Sequence, residues 1–232
     1  MSLYAWLMLF SFIGPFALSF DKKVAYFKDY TFVLLASISV SIPFLIWDVL
    51  FTEWKVWGFN DQYLIGIRFW DLPIEEIAFF YIVPFCCIFI YRVLNAYFAL
   101  KMLKGFTWVV GSILLLTTLI LLMLNFDKSY TLWTCCTFVV LLGYGLIYQF
   151  EFLAKFLLVF FVCLFPFFIV NGILTGISTP EPIVWYNPDE IIGFRVASIP
   201  VEDFYYNFNL LFSNILLFEF LKMKWKVAFT HS

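Results

Sequence analysis

The chain has 232 residues, 64% of them hydrophobic and 13% charged, with a net charge of −2 and a mean hydropathy of +0.97. Soluble domains run at about 45–50% apolar and about 25% charged, and a fold of this size cannot hide such an excess, so a soluble globular protein is excluded. The small net charge and the lack of a basic patch or recognition motif point away from nucleic acid as a partner.

In chain order, seven stretches approach the roughly 20 apolar residues that a membrane helix needs. They lie near residues 3–20, 30–50, 74–95, 106–125, 131–149, 154–175 and 201–221. The predicted fold is therefore an all-α integral membrane protein with seven transmembrane helices. The first stretch has no basic leader and no small-residue cleavage site, so it reads as a spanning helix rather than a signal peptide. The fifth and sixth are the least clearly separated, by a short stretch around Glu151 and Lys155. Seven spans put Lys55, Arg68, Lys128 and Arg195 on one side and the other ten basic residues, Lys101 and Lys226 among them, on the other. The positive-inside rule then places the C-terminus in the cytoplasm and the N-terminus outside the cell membrane.

The five cysteines, Cys86, Cys87, Cys135, Cys136 and Cys163, all fall in predicted spans, and the only histidine is His231. Without a CxxC pair or a second histidine no metal site is expected, and the cysteines read as small packing residues. GYGLIY (143–148) touches a glycine fingerprint but sits inside a span with no strand before it, so it is not a dinucleotide site. No lysine lies mid-way in the seventh span, which argues against a retinal Schiff base.

The chain contains an internal repeat. IRFWDLPIEEIAFF (67–80) aligns without gaps on FRVASIPVEDFYYN (194–207), pairing Arg68 with Arg195, Pro73 with Pro200, Glu75 with Glu202 and Glu76 with Asp203. Upstream, Asn60, Ile65 and Gly66 pair with Asn187, Ile192 and Gly193. WDVLFT (47–52) resembles VNGILT (170–175), pairing Asp48 with Asn171 and Thr52 with Thr175. The expected organisation is a three-helix repeat over 1–105, a linker helix over 106–130 and a second three-helix repeat over 131–232. The odd linker makes the halves parallel, so both acidic motifs open on one membrane face, where one pocket can receive acids from both.

In the first motif Asp71 is positioned to cap the helix, Pro73 suits its first turn, and the helix dipole favours Glu75 and Glu76 there. Capping needs one acid, however, and does not need Arg-x₄-Pro-x-Glu twice. Adjacent helical residues point about 100° apart, so one acid of each pair is expected to face the bundle interior and the other headgroups or water. Acids at membrane depth are costly and hence functional candidates; Glu219 is another, unless it reaches the interface beside Lys222. Aromatic residues make up 24% of the chain. Phe and the interfacial Trp and Tyr suit a lipid-facing surface, while Phe79, Phe80, Tyr81, Phe204, Tyr205 and Tyr206 follow the acids closely enough to cage a cation.

PIEE (73–76), PVED (200–203), the stretch from Trp47 to Trp57 and the tandem halves together resemble the small membrane lycopene cyclases. These occur as two separate subunits, as one fused chain, or as the cyclase half of fungal fusion enzymes; this chain resembles the fused form over nearly its whole length. The resemblance implies a linear carotenoid substrate, lycopene, whose end group is closed into a β-ionone ring with no net redox change and no cofactor. It implies Glu75 and Glu202 as the acid/base pair, Glu76 and Asp203 as supporting carboxylates, and Asp48, Asn171, Arg68 and Arg195 as residues that tune or position them, with Phe79 and Tyr206 beside the substrate. The implied surroundings are the lipid bilayer, with other carotenoid-pathway enzymes or a second copy as further partners. Two rival readings stay open: a parallel-repeat transporter with proton-coupled acids, which the Phe-, Leu-, Ile- and Val-rich spans disfavour, and a non-catalytic carotenoid-binding partner.

Overall fold

The structure, a computed structural model, describes residues 2–98 and 104–230, with side chains to Trp225. Lys101, His231 and the side chain of Lys226 lie outside the described residues. Seven α-helices carry the chain: α1 (Leu3–Leu18), α2 (Tyr30–Glu53), α3 (Ile74–Tyr97), α4 (Lys104–Leu124), α5 (Ser129–Tyr148), α6 (Phe150–Leu174) and α7 (Val201–Thr230). Five helical stretches are long and apolar enough to cross a membrane: Tyr26–Glu53, which contains α2, and α3, α4, α5 and α6. The chain is thus an all-α membrane protein. With 16 residues, α1 rises only about 24 Å. Although long, α7 carries Glu202, Asp203, Asn207, Asn209 and Asn214, all buried, which lowers its hydropathy without exposing polar groups to lipid.

The sixth helix starts earlier than the sequence suggests. Gln149, with φ −130° and ψ 38°, is the one residue outside helix between α5 and α6, and Glu151 and Lys155 fall inside α6. Charged side chains near a helix end can reach the interface, so they need not break the helix.

At the centre α7 packs against α2, α3, α5 and α6, while α1 lies along α3 and α4 along α5. Phe156, Phe208 and Phe212 are fully buried there, with Phe208 and Phe212 stacked at 5.5 Å between centroids. At the end away from the acidic motifs, buried Asp29 accepts ion pairs from Arg92 and Lys222, each at 2.8 Å. This ties the start of α2 to the ends of α3 and α7, and gives Lys222 a partner other than Glu219.

The loops after α2 and α6 contain short strands absent from the all-helical expectation. β1 (Trp57–Phe59) pairs antiparallel with β4 (Val184–Tyr186), joining the two loops, with Trp57 opposite Tyr186. Gly58 is required there: a Cβ on it would lie 2.3 Å from the Trp185 ring. A two-residue hairpin precedes each acidic helix, β2 (Arg68–Phe69) with β3 (Leu72–Pro73), and β5 (Arg195–Val196) with β6 (Ile199–Pro200). The two hairpins repeat each other in detail. Arg68 Nη1 donates to the Asp71 carbonyl and Arg195 Nη1 to the Ser198 carbonyl, both at 2.6 Å. The amides of Ile74 and Val201 donate to the carbonyls of Ile67 and Phe194. Asp71 therefore does not cap α3. It sits in the hairpin turn at φ 63°, and the N-cap position belongs to Pro73, which makes no side-chain cap.

Candidate active site

The hairpins deliver the acid pairs into the first turns of α3 and α7. In each pair the first acid is bound to its own half. Glu75 Oε1 accepts from the Ser2 hydroxyl and the Ile65 amide, both at 2.7 Å. Glu202 Oε1 accepts from the Thr131 hydroxyl at 2.8 Å and the Ile192 amide at 2.7 Å. Ile65 and Ile192 are repeat partners, so each carboxyl stitches its loop to its helix in the same way. Glu75 and Glu202 are 3% and 0% exposed, and the second oxygen of each is buried with no partner among the described residues.

The second acids meet. Glu76 and Asp203 line one cavity of about 60 Å³, together with Asp48, Asn171, Phe79 and Tyr206. Glu76 Oε2 accepts from the Tyr4 hydroxyl at 2.6 Å. Asp203 accepts three bonds: Oδ1 from Tyr130 at 2.6 Å, Oδ2 from Asn171 Nδ2 at 2.6 Å and from Tyr186 at 2.9 Å. Asp48 Oδ1 accepts from Trp57 Nε1 at 2.7 Å, and its Oδ2 is buried without a partner. The expectation that one acid of each pair faces headgroups or water is not met: Asp203 is buried, Glu76 is turned into the cavity, and Glu75 and Glu202 are buried against their loops.

Six of the residues singled out in the sequence thus converge: Glu76, Asp203, Asp48, Asn171, Phe79 and Tyr206. Glu75 and Glu202 stand one residue away, outside the lining. Among the described residues neither arginine bonds to a motif acid. Arg68 pairs with Asp61 at 2.6 Å, and the Arg195 guanidinium lies 5.7 Å from the centre of the Tyr186 ring. Arg195 therefore reaches Asp203 only through Tyr186.

Trp57, the end of the stretch that carries the resemblance, is also in the wall, with other residues not singled out: Tyr4, Tyr130, Phe167, Tyr186 and Asn207. Their rings crowd together, with Tyr130 and Tyr186 stacked at 5.7 Å and Trp57 set edge-on to Tyr130 at 5.0 Å. Burial first, and then the Asp203 carboxylate, push the Tyr186 phenol well above the usual tyrosine value, so it is a neutral donor. Tyr4 and Tyr130 stand at the start of the first helix of each half, within two residues of the Ser2 and Thr131 hydroxyls that hold Glu75 and Glu202, a placement that only the structure reveals. Of the other aromatic candidates, Phe80 packs on Phe44, Tyr205 on Phe138 and Phe204 on Phe167.

Chemically, the cavity offers carboxyls of unequal hydrogen bonding and several ring faces in a small, mostly buried space. That suits moving a proton onto and off an apolar molecule while a cation forms between the two events. The family model described as Lycopene cyclase matches residues 1–94 and 127–221. Neither a curated protein nor a solved structure gives a significant match. The chain belongs to the lycopene cyclase family.

Proposed function

We propose that this member of the lycopene cyclase family closes the linear end groups of lycopene into β-ionone rings, acting as an isomerase of the intramolecular lyase type. The observation that carries the reading is the unequal bonding of two carboxyls from the two halves, facing one cavity: Asp203 with three donors, Glu76 with one. An acceptor-only carboxylate suits three donors. Asp203 is then the base, and Glu76 is the acid, with Asp48 as its neighbour in the cavity.

The steps balance. The Glu76 carboxyl gives its proton to the terminal double bond, leaving a tertiary cation. An internal double bond attacks that cation and closes the six-membered ring. The ring cation then loses a ring proton to Asp203. Glu76 ends as the carboxylate and Asp203 protonated, so return of a proton across the cavity resets the site. The faces of Tyr206, Phe79 and Trp57 hold the cation between steps, and a substrate that fills the cavity displaces water that would quench it. Glu75 and Glu202, the acid/base pair that the family resemblance implies, serve in this assignment to hold each hairpin against its helix. Asn171, and Arg195 through Tyr186, position Asp203; Arg68 holds its hairpin turn.

The architecture that fits this chemistry is seven spans arranged 3+1+3, with repeats over 1–105 and 131–232 joined by a linker over 106–130. In support, the hairpin bonds recur in both halves, and the family match leaves α4 outside its two segments. An odd number of spans together with the basic-residue count supports a cytoplasmic C-terminus and an outside N-terminus in the cell membrane. A host that accumulates lycopene tests the reading. Wild-type chain should yield ring-bearing carotenoids, and Glu76→Gln should leave red lycopene at equal membrane abundance; lycopene persisting with well-inserted wild type sinks it.

A further inference from the structure

A second cavity of about 240 Å³ lies beside the first, between α1, α3, α6 and α7. Pro15, Val83, Cys86, Ile90, Cys163 and Pro166 are among its walls. Phe79, Phe167, Asn171 and Asn207 line both cavities, so the two adjoin across these side chains. On the α1 wall the Ser11 hydroxyl is turned back to the Leu7 carbonyl at 2.8 Å, and the Cys86 thiol to the Ser11 carbonyl at 3.3 Å. A polar occupant would leave its water bonds there for little in return. While α1 packs broadly on α3, it hardly touches α6, and Pro15, Ile90 and Pro166 are partly exposed along that seam. The slot is therefore mostly apolar, and larger than the cavity at the carboxyls.

We propose that this slot holds the polyene chain of the substrate, which enters from lipid between α1 and α6 with one end group at Glu76 and Asp203, so that one ring forms per binding event. The proposal rests on the cyclase reading above. A narrow end of about 60 Å³ admits the tip of a chain, while the carbons that fold back to close the ring lie at the Phe79 and Phe167 junction. Because the acids of both halves face the same cavity, the second end of the substrate has to wait. A bicyclic product requires the monocyclic one to leave and return reversed.

Plugging the slot away from the acids tests this in membranes. Ile90→Trp and Val83→Trp should lower lycopene turnover about a hundredfold by misplacing the chain. They should keep turnover of a truncated polyene, one end group with a few isoprene units, within about threefold of wild type, since a short chain leaves the plugged part of the slot empty and is held at the carboxyl end alone. Leu34→Trp, in a separate apolar hollow with Phe12, Tyr30 and Phe85, should change neither. Unchanged lycopene turnover in both plugged variants, equal loss of both substrates, or selective loss in Leu34→Trp overturns the slot. In a wild-type time course, monocyclic carotenoid should exceed the enzyme concentration before bicyclic product appears; bicyclic product with the monocyclic form held below that level overturns the one-end rule. If wild type cyclises neither substrate, the activity reading is what fails. The slot is then decided by lycopene binding, read as a shift of polyene absorption in wild type that Ile90→Trp should abolish and that overturns the slot if it persists.

Discussion

The two halves build the same hairpin and stitch their first acid in the same way, yet they present the cavity with different second acids. In the second half Asn171 donates to Asp203, joined by Tyr130 and Tyr186. In the first half the residue matching Asn171 is Asp48, which offers a carboxyl in place of an amide, and Glu76 is left with Tyr4 alone. A duplicated scaffold has thus kept its architecture and divided its chemistry. In the proposed reaction one copy supplies the carboxylate that accepts a proton, and the other a carboxyl with few competing donors that gives one up.

Substitutions can break that comparison, and the largest effect belongs to the acceptor. Asp203→Asn should lower kcat about 10²- to 10⁴-fold, the range for loss of a general base, with little change in folded protein; the double variant with Glu76→Gln should lie near background. Single-variant rates within tenfold of wild type would refute the division of roles. Next comes Asp48→Asn, which makes the first half copy the second. The new amide should bond to Glu76 and cost about ten- to a hundredfold in kcat, as expected when a catalytic acid is held as an acceptor. A rate equal to wild type would show that Asp48 does not matter to the acid.

Tyr186→Phe should cost a smaller factor, about tenfold, by removing one of three donors. Its pH behaviour is more informative. Burial and the Asp203 charge both disfavour the phenolate, which raises the Tyr186 pKa. The donor is then present at every pH below the usual tyrosine value of about 10, so the wild-type rate should show no alkaline limb from this group, and the ratio to Tyr186→Phe should stay constant up to that pH. Smallest in rate should be Glu75→Gln and Glu202→Gln, which weaken a stitch worth about 1.5–3 kcal/mol. Thermal stability in detergent should fall while the folded fraction keeps most of its kcat. A rate loss matching that of Glu76→Gln would return them to the acid/base role that the family resemblance implies.

Much of this was legible in the chain. Seven apolar stretches marked seven helices, and the paired motifs marked the loops that bring the acids together. The rotation of each acid was not legible. It depends on the Ser2 and Thr131 hydroxyls and on the Ile65 and Ile192 amides, which capture the first acid and leave the second to face inward. The phenols were hidden for a related reason, since Tyr4 and Tyr130 lie 72 and 73 positions from the acids they hold. Three-residue strands such as β1 are too short to show alternation, and their pairing joins loops over a hundred residues apart. Asp71 misled because a hairpin with two left-handed residues, Trp70 and Asp71, intervenes before the helix.

The packing of α4 has a consequence for how such a protein can be made. Among the described residues its main neighbours are α5 and α6, both in the second half. The halves are held together by α7 against α2 and α3, by α6 against α3 and α1, and by the β1–β4 ladder. A gene split between α3 and α4 would still encode two polypeptides with matching surfaces and matching strand edges. Covalent continuity then sets stoichiometry and insertion order, one copy of each half arriving in the membrane together, while assembly of the pocket is left to the surfaces themselves.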